Sequence, residues 1–160
     1  MKWNKHWLLP LNVLLVLALY NSSICSKEAL LAKGKPVYLR LAPVDPRSLM
    51  QGDYMRLSFA IVDSMHKNDI PKRGFCVVTL DSVGLVTRVR WQEKSSPVQP
   101  GEQLLRYTTG NSGIQLGAES YFFQEGKASK YNTARYGMLK VDAAGNTLLV
   151  GLCDSSLRRL

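Results

Sequence analysis

The stretch "FCVVTLDSVGLVTRVRW", Phe75 to Trp91, decides the fold. Two runs rich in β-branched residues flank Asp81-Ser82-Val83-Gly84, and four turn-compatible residues between such runs write a β-hairpin. A mainly β domain follows. Downstream, "QEKSSPVQPGE" carries Pro97 and Pro100 and reads as a loop. Beyond it, "QLLRYTT" and "IQLGAESYFFQEG" read as strands broken at Gly110 and Gly117. "KASKYNTARYG" fits a short helix ending at Gly137, and "MLKVDAAGNTLLVGL" gives a second hairpin around Ala144-Gly145-Asn146.

Upstream of the first hairpin, "HKNDIPKRG" is a polar loop, and before it lie two further strand-like runs. They are "PVYLRLA" (Pro36 to Ala42) and "YMRLSFAIV" (Tyr54 to Val62). In the second, Met55, Leu57, Phe59 and Ile61 fall on one face by the period of two, which predicts the core side. Taken together, the chain reads as a mainly β fold, an antiparallel or barrel-like sheet with one short helix.

The N-terminus has a different pattern. "MKWNKHW" supplies Lys2 and Lys5, and Trp7 to Cys25 follows without a charge. Such a run is at the lower edge of what spans a bilayer and slightly longer than a usual signal-peptide apolar region. The preceding lysines favour a cytoplasmic N-terminus, so residues beyond about Ser26 face outward. "SKEALLAKG" continues with good helix formers to Gly34, which suits a retained anchor better than a removable leader. The expected division is residues 1–6 cytoplasmic, 7–25 a transmembrane signal anchor, 26–34 a helical linker and 35–160 a β-rich domain outside the cytoplasm. Ile24 before Cys25 is bulkier than a lipoprotein cleavage site accepts.

Composition narrows the functional classes. The 160 residues include 21 Lys or Arg against 12 Asp or Glu, a formal charge of +9. The basic residues are scattered singly, so no nucleic-acid-binding block or basic helix is formed. Cys76 and Cys153 each lie in an apolar run, open either to a disulfide or to burial as small hydrophobes. His6 is in the leader and His66 stands alone, so no histidine or cysteine cluster suits a metal. Nucleophilic triads would have to use His66, and no GxSxG turn accompanies it. Phosphate loops and dinucleotide fingerprints are absent from the sequence, and no cofactor or catalytic residue is expected.

Fixed chemistry concentrates instead in "LAPVDPRSLMQGDYMRLSFAIVD", Leu41 to Asp63. Pro43 and Pro46 stiffen the corner, Gly52 permits a sharp turn, and Asp53 can accept the backbone N–H groups such a turn leaves free. Arg47 can tie a carboxylate such as Asp45 in bidentate fashion. A rigid cross-connection held by buried polar bonds explains every one of these residue types without a ligand and is the preferred reading; a binding surface is the alternative.

"GDYMRLSF", Gly52 to Phe59, resembles the signature of the bacterial GDYXXLXY proteins. The likeness extends through "KEALLAKG", "LAPVDPRSLMQGDY", "GAESYFFQEG", "ARYG" and "LLVGL". The signature residues here are Gly52, Asp53, Tyr54, Leu57 and Phe59, with Phe59 in place of the last tyrosine. A packing role at that position survives the change, and a hydroxyl role does not. The resemblance implies a membrane-anchored protein with no known catalytic role for its signature, often encoded beside large multi-spanning membrane proteins.

A second candidate cluster is "GAESYFFQEGKASKYNTARYG", Gly117 to Gly137. Glu119, Gln124, Glu125 and Arg135 among aromatics form a mixture common at binding surfaces. Alternatively Tyr121 and Phe123 alternate with Phe122 on a half-buried strand, and Arg135 pairs with a carboxylate. The expected function is a bacterial inner-membrane, single-pass accessory or binding protein, its domain in the periplasm, acting with a multi-spanning membrane partner. Candidate contacts are Asp45, Arg47, Gly52, Asp53, Tyr54, Glu119, Gln124, Glu125 and Arg135. The alternative is an inactive or divergent relative of Ser-Lys hydrolases such as type I signal peptidases. Against it, Val44 stands where their serine belongs, Ser48 is too close to the Gly-Asp, and Lys67 or Lys72 would have to serve as base from a polar loop. Lipid or cell-wall anions are a third class of ligand that the net charge allows.

Overall fold

The computed structural model describes residues 7–42, 54–63, 71–110, 113–124 and 126–160. Its first element is a single unbroken helix, α1 (Leu8–Lys33). Good helix formers continue past Cys25, and nothing in "SKEALLAK" interrupts the ladder. Helix α1 stops at Gly34, whose extended backbone (φ −61°, ψ 143°) turns the chain directly into β1 (Lys35–Arg40).

Among the described residues nine strands follow the turn: β1, β2 (Tyr54–Arg56), β3 (Arg73–Leu80), β4 (Val86–Gln92), β5 (Glu102–Gly110), β6 (Gly113–Gln115), β7 (Ser120–Phe122), β8 (Tyr136–Val141) and β9 (Thr147–Cys153). A one-turn helix, α2 (Ala60–Asp63), and a 3-10 helix (Ala128–Thr133) interrupt them. All of the strand ladders are antiparallel, in three sheets ordered β1-β8-β9, β2-β7 and β4-β3-β5-β6. The fold is mainly β, with a curled, half-barrel sheet.

Two seams curl the sheets around one another. At one, Tyr38 N–H donates to Gly84 O at 2.9 Å, and Tyr38 forms a parallel bridge with Leu85 beside the start of β4. At the other, Arg106 N–H donates to Gly145 O at 2.8 Å, bringing β5 against the β8–β9 turn. The space between is filled by Val37 and Leu39 from β1, Leu139 and Val141 from β8, and Cys76, Val78, Leu105 and Tyr107 from β3 and β5. Period two selects these side chains, because alternate residues of a strand point to one face.

Both hairpins form where the turn chemistry places them. Asp81 Oδ1 accepts the N–H groups of Val83 and Leu85 at 2.9 and 2.8 Å, tying the first turn. In the second, Asp142 Oδ1 accepts from Asn146 N–H at 2.8 Å, and Gly145 takes φ +82°, a conformation a side chain would strain. The last residues fold back on β9: Leu160 N–H donates to Leu152 O at 2.9 Å and Arg159 Nη2 to Val150 O at 2.7 Å. Part of an open strand edge is thereby occupied.

Two expectations need correction, and one open alternative narrows. The run Tyr54–Val62 is not one strand: β2 ends at Arg56, Phe59 makes an isolated bridge with Leu41, and the chain then coils into α2. Its core face nonetheless holds, with Met55, Leu57, Phe59 and Ile61 all buried. The helix expected to end at Gly137 is a 3-10 turn ending at Thr133, and Gly137 lies inside β8. A Cβ at Gly137 would sit 2.9 Å from Phe59 Cε1, so this position admits the ring because it is glycine. Cys76 and Cys153 are both buried free thiols in different sheets, so the disulfide alternative gives way to the packing one.

Candidate functional site

The two candidate segments, far apart in sequence, meet as partners. Strand β2, which carries the end of the GDY signature, pairs with β7 in the register Tyr54↔Phe122, Met55↔Tyr121 and Arg56↔Ser120. Leu57 N–H extends the contact by donating to Glu119 O at 2.7 Å. Asp45, Arg47, Gly52 and Asp53, together with Glu125, lie outside the described residues. Tyr54 is placed by its backbone at the head of the ribbon.

The ribbon has two unlike faces. Inward, Met55 and Leu57 enter the core, and Tyr121 and Phe123 pack on Tyr131 of the 3-10 helix, each with ring centroids 5.3 Å apart. Outward are Arg56, Ser120 and Phe122, the last with 74% of its surface exposed. Alternation along β7 therefore buries the tyrosine side and presents the phenylalanine. Burial, followed by its hydrogen bond with Tyr131, raises the Tyr121 hydroxyl above the ordinary tyrosine range, while Arg159 opposes this. A phenol so held is a neutral packing group at physiological pH.

Glu119 has a structural task. Its Oε1 accepts the backbone N–H groups of Leu116 and of Gly117, the latter at 3.2 Å, and so closes the turn leading into β7. Gln124 is exposed, and its carbonyl accepts from Lys127 N–H at 3.1 Å. Arg135 ties three elements through its backbone: its N–H donates to Cys153 O at 2.8 Å, and its carbonyl accepts from Leu41 N–H at 2.9 Å. Its side chain is exposed, and among the described residues the ion pair is Arg90–Glu102 at 2.7 Å, not one made by Arg135. Phe59, at the signature's final aromatic position, is 1% exposed against Gly137, which is a packing role.

Two thiols among the described residues are held in unreactive forms. Burial pushes the Cys76 thiol far up, and the Cys153 thiol is raised by burial and then by Asp154, so neither is a ready thiolate. Lys72 is exposed, in contrast to the buried lysine that a Ser-Lys mechanism uses. Among the described residues, no three His, Cys, Asp or Glu side chains converge as a metal site would require.

Sequence reasoning missed one feature, the junction between α1 and the β8–β9 hairpin. Leu30 is 6% exposed there, and Lys140 Nζ donates to Gly34 O at 3.0 Å. A cleft of about 500 Å³ opens beside it, lined by Ser26, Ala29 and Lys33 of the helix, Lys35, Asp142 and Ala143. Leu30, about one and a half turns beyond Cys25, was the available signal, but Leu30 and Leu31 read alike without the hairpin.

Fold and geometry define a class: an antiparallel β domain, partly closed into a half-barrel, carried on one N-terminal helix of membrane-spanning length. The GDYXXLXY protein family matches residues 16–152, and the chain belongs to that family. No curated protein and no solved structure matches the chain.

Proposed function

We propose that this chain is a membrane-anchored accessory protein whose β domain stands on the periplasmic side of a bacterial inner membrane and docks on a multi-spanning partner through the β2–β7 ribbon. The observation that carries this reading is the pairing of Tyr54–Arg56 with Ser120–Phe122, which joins the family signature to an exposed aromatic strand. Exposed aromatics on a rigid strand are what protein interfaces use as anchors. Helix α1 supports the anchoring. Its 26 residues span about 39 Å at about 1.5 Å per residue, against a hydrocarbon core of about 30 Å. None of its most apolar window is buried by the protein, so lipid is the natural cover. Lys2 and Lys5 favour the inside orientation by the positive-inside rule.

The test is photocrosslinking in native membranes, with a benzophenone amino acid at Ser120 and, as control, at Lys94 on the loop after β4. The docking reading expects one adduct with a polytopic membrane protein from position 120 and none from position 94. Equal adducts from both positions, or none from either, contradict it.

A further inference from the structure

We infer that the cleft between the last two turns of α1 and the β8–β9 hairpin is a binding site for the phosphate headgroup of an anionic phospholipid. This rests on the reading of α1 as membrane-spanning. Depth is the first argument. Twenty residues of helix cross the hydrocarbon, and counted from Leu8 this brings the chain to Lys27, the first charged residue after the apolar run. Ser26 to Lys33 then rises a further about 10 Å, through the layer where headgroup phosphates lie. The cleft is lined by this segment and by no earlier part of the helix.

Charge is the second argument. Lys33 and Lys35 are exposed at the cleft wall. Helix α1 would turn its negative dipole end toward an anion here, but the Lys140 ammonium lies on Gly34 O and covers that end. The opposing carboxylate is Asp142. Burial works against its ionisation, yet hydrogen bonds from Asn146 and Ala144, with Arg106 nearby, outweigh it and hold the carboxyl below its usual range. Both Asp142 oxygens are occupied by Asn146, through N–H and Nδ2, each at 2.8 Å. The donors left facing the cleft are therefore the lysines, with the Ser26 hydroxyl at its membrane side. About 500 Å³ is ample for a phosphoglycerol group.

The location gives the site a consequence. A lipid held between α1 and the hairpin would fix the angle of the β domain over the membrane, because the helix touches the domain at β8 and β9. A free anion in the same cleft would lack the acyl chains that bring the headgroup there at high local concentration.

The experiment is native mass spectrometry of the full-length protein in detergent, titrated with phosphatidylglycerol or phosphatidylcholine. Four forms are compared: the parent, Lys33→Gln/Lys35→Gln, Ala143→Glu, and the charge-matched control Arg88→Gln/Lys94→Gln. The proposal expects the parent to retain one phosphatidylglycerol in preference to phosphatidylcholine. The lysine pair should lose that preference by on the order of tenfold. Ala143→Glu should also weaken it, and the control should not. An equal loss in the control, or no loss in the lysine pair, overturns the site in favour of diffuse surface charge. Displacement of the lipid by millimolar inorganic phosphate would also overturn it, because the cleft would then read a free anion. Carbonate extraction of the same variants from membranes reports separately on anchoring. A protein that extracts as soluble defeats the membrane reading, whereas one that stays inserted without lipid preference defeats only the site.

Discussion

In the β3–β5 ladder, Cys76, Val78, Leu105 and Tyr107 all turn into the core, and the strands run long enough for their neighbours to cover them on both sides. In the β2–β7 ribbon only one face is covered: Met55 is buried and Tyr121 packs on Tyr131, while Phe122 keeps most of its ring surface in solvent. Both are antiparallel pairings with the same alternation. The ladder shows what a sequence does when burial alone chooses its residues. Phe122 departs from that pattern, a large aromatic with 74% of its surface exposed at the outer position of β7.

The comparison can be broken most forcefully at its hinge. Phe59 belongs to the signature but behaves as a ladder residue, so Phe59→Ala should destabilise the full-length protein in detergent by about 3–5 kcal/mol, read by denaturant unfolding. A loss under about 1 kcal/mol would mean that the signature's aromatic position is not a packing position. Next comes Glu119→Ala, which leaves the Leu116 and Gly117 N–H groups without their acceptor. It should cost about 1–3 kcal/mol, with crosslinking from Ser120 retained wherever the protein stays folded. If stability is unchanged and the crosslink disappears, Glu119 belongs to the docking face instead of the turn.

Phe122→Ser should separate the two regions most cleanly. Its unfolding free energy should match the parent's within about 0.5 kcal/mol, while the adduct from position 120 falls sharply. A clear drop in melting temperature would return Phe122 to the fold. The smallest effect belongs to Arg90–Glu102, on the exposed side of the long sheet. Its hydrogen bond from Arg90 and that from Gln99 N–H lower the Glu102 carboxyl to about 2 from its ordinary 4.5. The sign follows: the contribution is present above pH 4.5 and is lost as pH falls toward 2. Arg90→Ala should therefore leave melting near neutral pH almost unchanged and flatten the acid slope in that window. Solvent screening keeps the difference small.

Much of the fold was legible because its determinants are local. Asp81 and Asp142 each serve a turn a few residues away, and period two marked the core face from Met55 to Ile61 even where the strand gave way to α2. The strand's end was not legible, because Leu57 and Phe59 alternate as strand residues do, while their backbone partners are Glu119 and Leu41, from distant parts of the chain. For the same reason the two candidate clusters were found separately, and only the β2–β7 register joins them. Within the second cluster, Glu119 and Arg135 looked like surface chemistry but serve local geometry, the one by its carboxylate and the other by its backbone. The partnering of α1 with β8 and β9 left no periodic signal, since Leu30 sits within a helix apolar on most of its length.

The central claim is that α1 holds an exported β domain at the membrane. It is tested most directly by labelling Lys94→Cys, in a Cys25→Ser background, with a membrane-impermeant maleimide on intact spheroplasts, followed by carbonate extraction. The account predicts a labelled protein that remains in the membrane pellet. A protein that labels only after lysis, or that leaves the pellet with carbonate, would contradict it.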